Sequence, residues 1–140
     1  MRTLLDLQIA RDLSKDSGLS ETDYDVLSTL SETPGGCWRA RDLAAQLLWS
    51  TSRLAHHVGR MEQRGLVARQ PCADDARGAL ISLTEQGRAT LGQAAPPHVA
   101  SVRRHMIDLL TADEVAALDT IAGKVITHLA GQVPTDLPPR

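Results

Sequence analysis

Apolar residues recur at helical spacing through most of the chain, in segments that turn-forming residues separate. Leu5, Ile9 and Leu13 lie four residues apart, which predicts an apolar stripe on a first helix over about residues 3–15. A second helix is predicted to begin at a capping-box pattern and to end at a Thr-Pro-Gly-Gly loop. A short strand is expected around Trp38, directly before the next helix.

Two short helices follow in close succession. The third is predicted over residues 40–48, and the fourth begins at Ser50, whose hydroxyl suits the N-cap position. Apolar residues at helical spacing form the inward stripe of the fourth helix. Arg64 and Gly65 mark its end, with a basic last turn and a glycine suited to the left-handed cap.

The next segment has the pattern of a β-hairpin. Strands are predicted over residues 66–70 and 79–83, and the segment PCADDARG between them is rich in turn formers and charge. Thr84 then suits the N-cap of a fifth helix. Pro96 and Pro97 predict a bend in that helix before it resumes, and a capping box of Thr111 and Glu114 predicts the start of a last helix.

This order predicts a mostly α fold with a small β-hairpin. It is a winged helix-turn-helix over about residues 37–84 within a helical dimerisation frame formed by the N- and C-terminal helices, over about 3–15 and 85–130. The tail over about 131–140 is predicted to be disordered. A chain of 140 residues is most simply one domain.

The charge pattern adds a partner class. Residues 39–88 carry eight arginines and five acidic residues, a net charge of +3, which leaves −5 for the rest of a chain whose total is −2. A basic centre between acidic flanks suits a DNA-facing module, although ordinary surface charge would also explain it. Long apolar runs and a signal peptide are absent from the sequence, so we expect a cytoplasmic protein without a membrane segment.

The fourth helix carries the candidate DNA contacts. A helix of this size fits the major groove, where base edges can be distinguished, and its N-terminal residues usually make the contacts. The alternative is a solvated polar face. The candidate residues, all placed outside the inward stripe, are Ser50, Thr51, Ser52, Arg53, His56, His57 and Arg60.

The hairpin supplies a second candidate contact. Arg77 is expected near its tip, from which an arginine can enter a narrow minor groove. Asp75 is the predicted support for that guanidinium. A turn with self-neutralising charges is the alternative, but a hairpin that bears an arginine directly after a helix-turn-helix strengthens the DNA interpretation.

These residues resemble the MarR family of bacterial transcriptional regulators. The resemblance rests on LAAQL in the third helix, RMEQRGLV at the end of the fourth, and DDARGALISLTEQG in the wing. Members typically show Asp-x-Arg in the wing, matched by residues 75–77, and Leu-Thr-x-x-Gly before the fifth helix, matched by residues 83–87. The helix order matches over nearly the whole chain.

The resemblance implies a homodimer joined through the first, fifth and sixth helices, and double-stranded DNA as the partner. The expected site is palindromic, with half-sites about 10 bp apart. Many members also bind a small-molecule effector that changes the spacing of the two recognition helices and releases DNA. The chain departs from the common pattern at His56, His57 and Gly59, which leaves the base preference open.

Two alternatives to a ligand-released repressor remain. One is a winged-helix protein-interaction module without DNA binding, and the other is an oxidant sensor that uses Cys37 or Cys72, although neither thiol has an evident activating base. The sequence shows no nucleophile motif, phosphate loop or metal-ligand spacing. We therefore expect no enzyme activity, no metal and no cofactor.

Overall fold

The structure, a computed structural model, describes the backbone of residues 2–72 and 75–131 and the side chains of residues 3–71 and 78–131. Six α-helices and three strands follow along these residues. They are α1 (Arg2–Ser17), α2 (Glu21–Glu32), β1 (Cys37–Arg39), α3 (Ala40–Gln46), α4 (Thr51–Gln63), β2 (Val67–Cys72), β3 (Asp75–Leu83), α5 (Glu85–His105) and α6 (Ala112–Ala130), with a short 3₁₀ turn at Ile107–Leu109. The predicted mostly α fold with a small hairpin is confirmed, while the tail at 132–140 lies outside the described residues.

The three strands form one antiparallel sheet in the order β1-β3-β2. Both strands of the hairpin are longer than predicted, so Arg77 lies within β3 rather than in a loop. Pro71 is tolerated in β2 because that strand is at the edge of the sheet, and a register shift follows it. The predicted pairing of the Asp75 and Arg77 side chains lies outside the described side chains.

Capping interactions set most helix boundaries where the sequence predicted them. The capping boxes at Ser20 and Thr111 both form, and Ser50 and Thr84 cap α4 and α5. The third helix ends earlier than predicted, at Gln46, because a Schellman turn closes it: Trp49 N donates to Ala44 O at 2.8 Å, and Leu48 takes a φ of 57°.

The hydrophobic core lies between α2, α3, α4, the sheet and the middle of α5. Its fully buried side chains come from all of these elements and from the end of α1. They include Leu13, Leu19, Val26, Leu27, Leu30, Leu43, Leu54, Val58, Met61 and Ile81. The packing fixes α4 by its inward stripe and leaves its opposite face in solvent. No helix in the described part is both long and apolar enough to cross a membrane.

The helix α5 continues without interruption through Pro96 and Pro97, so the expectation of a separate helix that resumes after the pair is wrong, while the bend stays a prediction. Each proline removes one backbone donor, but the helix is held on both sides of the pair. Ala94 and Ser101 are fully buried, and α1 packs along α5. Tertiary packing therefore outweighs the local effect of the prolines.

A close joint connects the end of α4, the sheet and the start of α5. The Thr84 hydroxyl donates to Gly65 O at 2.6 Å and accepts from Gly87 N at 2.9 Å. Gly87 packs so closely on Leu66 that a Cβ there would lie 2.0 Å from the Leu66 carbonyl oxygen. This contact explains why a threonine and a glycine stand three residues apart at this point.

A second link joins α1 to the C-terminal half of α5. The Asp12 carboxylate accepts from Ser101 Oγ at 2.7 Å and from Arg104 Nη2 at 2.9 Å, and His105 Nε2 lies 3.0 Å away. The hydrogen bonds from Ser101 and His105 hold the pKa of Asp12 far below its ordinary value of 3.8. The Asp12 carboxylate is therefore ionised in the folded protein at neutral pH.

The last helix is mostly exposed within the described chain, with only Val115, Leu118 and Ala122 half-buried. No residue of α6 is buried, and Ile121, Val125, Ile126 and Leu129 are each at least half exposed. An apolar groove of about 660 Å³ runs between α1, the end of α5 and α6. Its walls include Leu4, Leu5, Met106, Leu109, Leu118 and Ile121.

We expect Gly87→Ala to lower the free energy of unfolding by about 3 kcal/mol, because a backbone atom must move to admit the methyl group. Gly92→Ala, in the same helix but with open space around the added carbon, should instead stabilise by about 1 kcal/mol. Thermal unfolding of the two variants at equal protein concentration measures the difference. Equal melting temperatures would contradict the close contact at Gly87.

We also expect Asp12→Asn to destabilise the protein at pH 7. The pKa of Asp12 is lowered by folding, so its contribution is complete above the ordinary value of 3.8 and is lost as the pH falls toward the folded value. The stability difference between wild type and variant should thus be constant at neutral pH and shrink below about pH 4. Urea unfolding across a pH series at fixed protein concentration measures it, and a difference that grows on acidification would contradict this account.

Candidate nucleic-acid interface

The helix α4 presents one polar face to solvent. Ser50 caps it, with its hydroxyl accepting from Arg53 N at 3.2 Å. This places the first residues of α4 at the surface, with their unpaired backbone N–H groups available to an anion. The exposed residues of this segment are Ser50, Thr51, Ser52, Arg53, Ala55, His56 and Arg60. All of the predicted contact residues of α4 except His57 therefore lie on one accessible face.

The predicted outward position of His57 is wrong. His57 is only 7% exposed, and it lies on the inward side of α4 with Leu54, Val58 and Met61. The sequence pattern alone did not reveal this, because a histidine between two polar neighbours fits an exposed position equally well. Its burial follows from a partner on another helix, the carboxylate of Asp23.

A buried polar contact joins His57 to α2. The Nε2 atom of His57 lies 3.0 Å from Oδ1 of Asp23, whose side chain is 6% exposed. On the other side of the ring, Arg60 Nη2 lies 2.9 Å from Nδ1. An arginine can only donate, so Nδ1 accepts and the ring proton lies on Nε2, facing the carboxylate. Burial lowers the pKa of His57 below its ordinary value, which agrees with a neutral ring.

The carboxylate of Asp23 also anchors the end of α4. Arg64 Nη1 donates to Oδ2 at 2.8 Å, and Arg64 Nη2 donates to Gly18 O at 3.2 Å. Ser20 N donates to the same Oδ2 in the capping box of α2. Burial acts to raise the pKa of Asp23, but the hydrogen bonds from Arg64 and Ser20 outweigh it and the pKa is lowered. The group is thus a buried anion with a complete set of donors.

An aromatic contact positions the first arginine of α4. The guanidinium of Arg53 lies 4.4 Å from the centre of the Trp49 ring, a cation–π geometry. Trp49 in turn meets the His57 ring edge-on, with centroids 5.5 Å apart and an angle of 84° between planes. The turn before α4, the buried histidine and an exposed arginine therefore form one connected stack.

A cleft of about 370 Å³ opens beside α4, between the helix and the sheet. Arginines from three elements line it: Arg39 from β1, Arg41 from α3 and Arg69 from β2. Arg69 is tied to α4, since its Nη2 donates to Ala55 O at 3.2 Å and its backbone N donates to Glu62 Oε1 at 3.2 Å. These arginines belong to the predicted basic centre, but their meeting in one cleft follows only from the packing of β1, α3 and β2 against α4.

The cysteine alternative gains no further support from the described residues. Cys37 is a free, exposed thiol at the start of β1. The side chain of Cys72 lies outside the described part of the chain, so a pairing or reaction of the two thiols stays a prediction of the sequence alone.

Comparisons with known proteins agree with this geometry. The MarR family model matches residues 17–78. The chain is similar to AbsC, a MarR family transcriptional regulator of Streptomyces coelicolor, at 43% identity and a TM-score of 0.83 over 93% of this chain and 87% of AbsC. It is also similar to Sco3205 of the same organism, a MarR family transcriptional regulator whose structure is in complex with DNA. That similarity is 36% identity and a TM-score of 0.85 over 98% of this chain and 85% of Sco3205.

A curated relative gives the same assignment at lower identity. The HTH-type transcriptional regulator PecS of Dickeya dadantii is 28% identical over 112 residues, which are 79% of this chain and 67% of PecS. These relatives are regulators rather than enzymes, in agreement with the sequence analysis. With two solved relatives above 30% identity over most of both chains, the chain belongs to the MarR family of transcriptional regulators.

Proposed function

We propose that this protein is a sequence-specific DNA-binding repressor that acts as a homodimer and is released from a palindromic operator by a small ligand. The observation that carries the DNA-binding part is the exposed face of α4, where two arginines have inward contacts that hold them in place. The structure of Sco3205 in complex with DNA supports the same partner.

In this proposal α4 lies in the major groove. Arg53 and Arg60 read guanine by paired donors to O6 and N7, the commonest specific contact of arginine with DNA. The hydroxyls of Ser50, Thr51 and Ser52, together with the backbone N–H groups at the start of α4, bind phosphates and fix the register. His56 adds a donor or acceptor one turn along the same face.

The surrounding arginines and the wing complete the contact. The cleft lined by Arg39, Arg41 and Arg69 faces the same side as the start of α4 and attracts the phosphate backbone. Arg77, in β3, inserts into the adjacent minor groove, where the potential is most negative. Asp75 supports its guanidinium in this arrangement. Binding to chromosomal DNA places the protein in the cytoplasm.

A second copy of the chain covers the exposed apolar surface of α6 and the groove beside it. A helix with no fully buried residue in its own chain and several exposed aliphatic residues gains stability when another surface packs on it. A homodimer joined there sets the two α4 helices at a fixed spacing. A ligand that binds more tightly to dimers with a different distance between the two α4 helices shifts the dimers toward that form, which does not fit DNA. A ligand that binds both forms equally well has no effect.

The test of DNA binding is fluorescence anisotropy of duplexes tiled across the gene's own upstream region, at two salt concentrations. Tight binding to one tile, with a log–log salt slope of about −0.9 per neutralised phosphate, is the expected result. Uniformly weak, salt-insensitive binding would instead favour a protein-interaction module. Addition of candidate ligands to the bound tile then tests release.

We expect Arg77→Ala to weaken binding to the tight tile and to make the salt slope shallower by about one phosphate, without changing dimerisation. Arg11→Ala, which removes an exposed arginine of α1, is the matched control and should bind as wild type. Unchanged affinity in Arg77→Ala would show that Arg77 of the wing is not part of the DNA interface.

We expect Ile121→Lys to raise the dissociation constant of the homodimer at least about tenfold, because the interface must bury an unpaired charge. Ala116→Lys adds the same charge to an exposed position of α6 that does not line the groove and should change the constant less. Sedimentation equilibrium measures both. A monomeric wild-type protein would contradict the proposed assembly.

A further inference from the structure

We propose that His57 and Asp23, neither of which reaches the surface of α4, are positioning residues that set the orientation of the two DNA-reading arginines. This inference rests on the proposed major-groove role of Arg53 and Arg60. It concerns a contact chain that runs from α2 through the core side of α4 to its exposed face.

The contact chain has a fixed order of donors and acceptors. Asp23 Oδ2 is already occupied by Ser20 N and Arg64, so Oδ1 is the oxygen that faces His57. Because arginine can only donate to Nδ1, the ring proton lies on Nε2, which is 3.0 Å from that oxygen in a close polar contact rather than an aligned hydrogen bond. Arg60 donates to that acceptor at 2.9 Å. The tautomer of a buried ring therefore decides whether an exposed arginine has a partner.

The same ring also supports Arg53. Its edge-on contact with Trp49 fixes the indole against the helix, and Arg53 lies on the indole face at 4.4 Å. His57 thus contacts Arg60 directly and contacts Trp49, the support of Arg53, and the two arginines lie seven residues apart in α4.

Packing alone does not account for a histidine at this position. The neighbouring inward residues Leu54, Val58 and Met61 are fully buried aliphatic side chains. A leucine at 57 would fill the same space without the desolvation of a polar ring, but it would leave Oδ1 of Asp23 buried without a partner. What the histidine adds is an acceptor directed outward to Arg60 and a flat edge directed to Trp49.

Orientation matters because arginine recognises guanine with a planar pair of donors. A free arginine on a helix surface samples many rotamers, and ordering it on binding opposes association. An arginine already held in the unbound protein loses less entropy when it binds. Loss of the support should therefore reduce discrimination between bases more than it reduces attraction to phosphates.

Asp23→Asn is the sharpest test, because it keeps the shape of the side chain and replaces one acceptor oxygen with a donor NH₂ group. Ser20 N and Arg64 require an oxygen at the Oδ2 position, so the amide NH₂ takes the Oδ1 position and faces His57 Nε2. The ring can accept from that NH₂ at Nε2 only with its proton on Nδ1, where the proton meets the Arg60 donor. Long-range ¹H–¹⁵N spectra of the histidine rings should show the Nε2–H tautomer in wild type and the Nδ1–H tautomer in the variant.

The functional readout uses duplexes that the wild-type full-length protein selects from a pool with a randomised core. Affinities for the selected duplex, for its single-base variants and for an unrelated duplex are compared. We expect Asp23→Asn and His57→Leu each to reduce discrimination by about tenfold at the positions that Arg60→Ala or Arg53→Ala also affects. Binding to the unrelated duplex should change by less than about threefold, since phosphate contacts remain.

Ser20→Ala is the control for a purely structural effect. It removes a capping hydrogen bond to Asp23 N and lowers stability by about 1 kcal/mol but leaves Oδ1 facing His57. It should keep wild-type discrimination. If Asp23→Asn and His57→Leu also keep it, or if all three variants lose specific and unspecific binding together, the positioning role is wrong. If Arg53→Ala and Arg60→Ala themselves leave discrimination between bases unchanged, the proposed base-reading role of these two arginines is wrong.

Discussion

The buried carboxylate of Asp23 is the contact on which the DNA-facing half of this protein depends. It closes the capping box of α2, receives Arg64 at the end of α4 and faces His57 in the middle of α4. An ionised carboxylate in this position is tolerable only because each oxygen has a partner. Without it the orientation of α4 relative to α2 would rest mainly on aliphatic packing, which tolerates small rotations better than a directional polar contact does.

A second constraint acts directly after the end of α4. The Thr84 hydroxyl holds the carbonyls of Gly65 and Leu66 while it caps α5, and Gly87 allows the backbones to approach. The helix α4 is therefore tied to both α2 and α5. In the proposed homodimer, α1 and α5 belong to the frame with the exposed apolar surface, so a change in how the two copies pack would move α4 with it. The proposed release of DNA by a ligand would use this link.

Local chemistry in the sequence accounts for most of the fold. The caps at Ser20, Ser50, Thr84 and Thr111 and the left-handed glycine at 65 are short-range signals, and they placed the helix boundaries closely. The errors arose where distant residues decide. The helix at Pro96 continues because α1 supports it, and the hairpin extends because β3 is paired on both edges.

In the candidate site, too, the features set by local sequence were predicted and those set by distant contacts were not. Spacing on α4 correctly placed Arg53, His56 and Arg60 at the surface, because helical periodicity is a local property. It misplaced His57, whose burial depends on a carboxylate 34 positions earlier in the chain. The arginine cleft was not foreseen either, since Arg39, Arg41 and Arg69 meet only after the sheet has formed. Contacts that need two separate segments are the part that sequence pattern does not supply.

Methylation protection of a selected duplex reports whether two copies of α4 read DNA in the major groove. Guanine N7 lies in the major groove and adenine N3 in the minor groove, so one methylating reagent probes both grooves. We expect protected N7 atoms in two patches about 10 bp apart, with protected N3 atoms beside them where the wings lie. A fully bound duplex whose guanine N7 atoms remain reactive throughout would contradict this expectation.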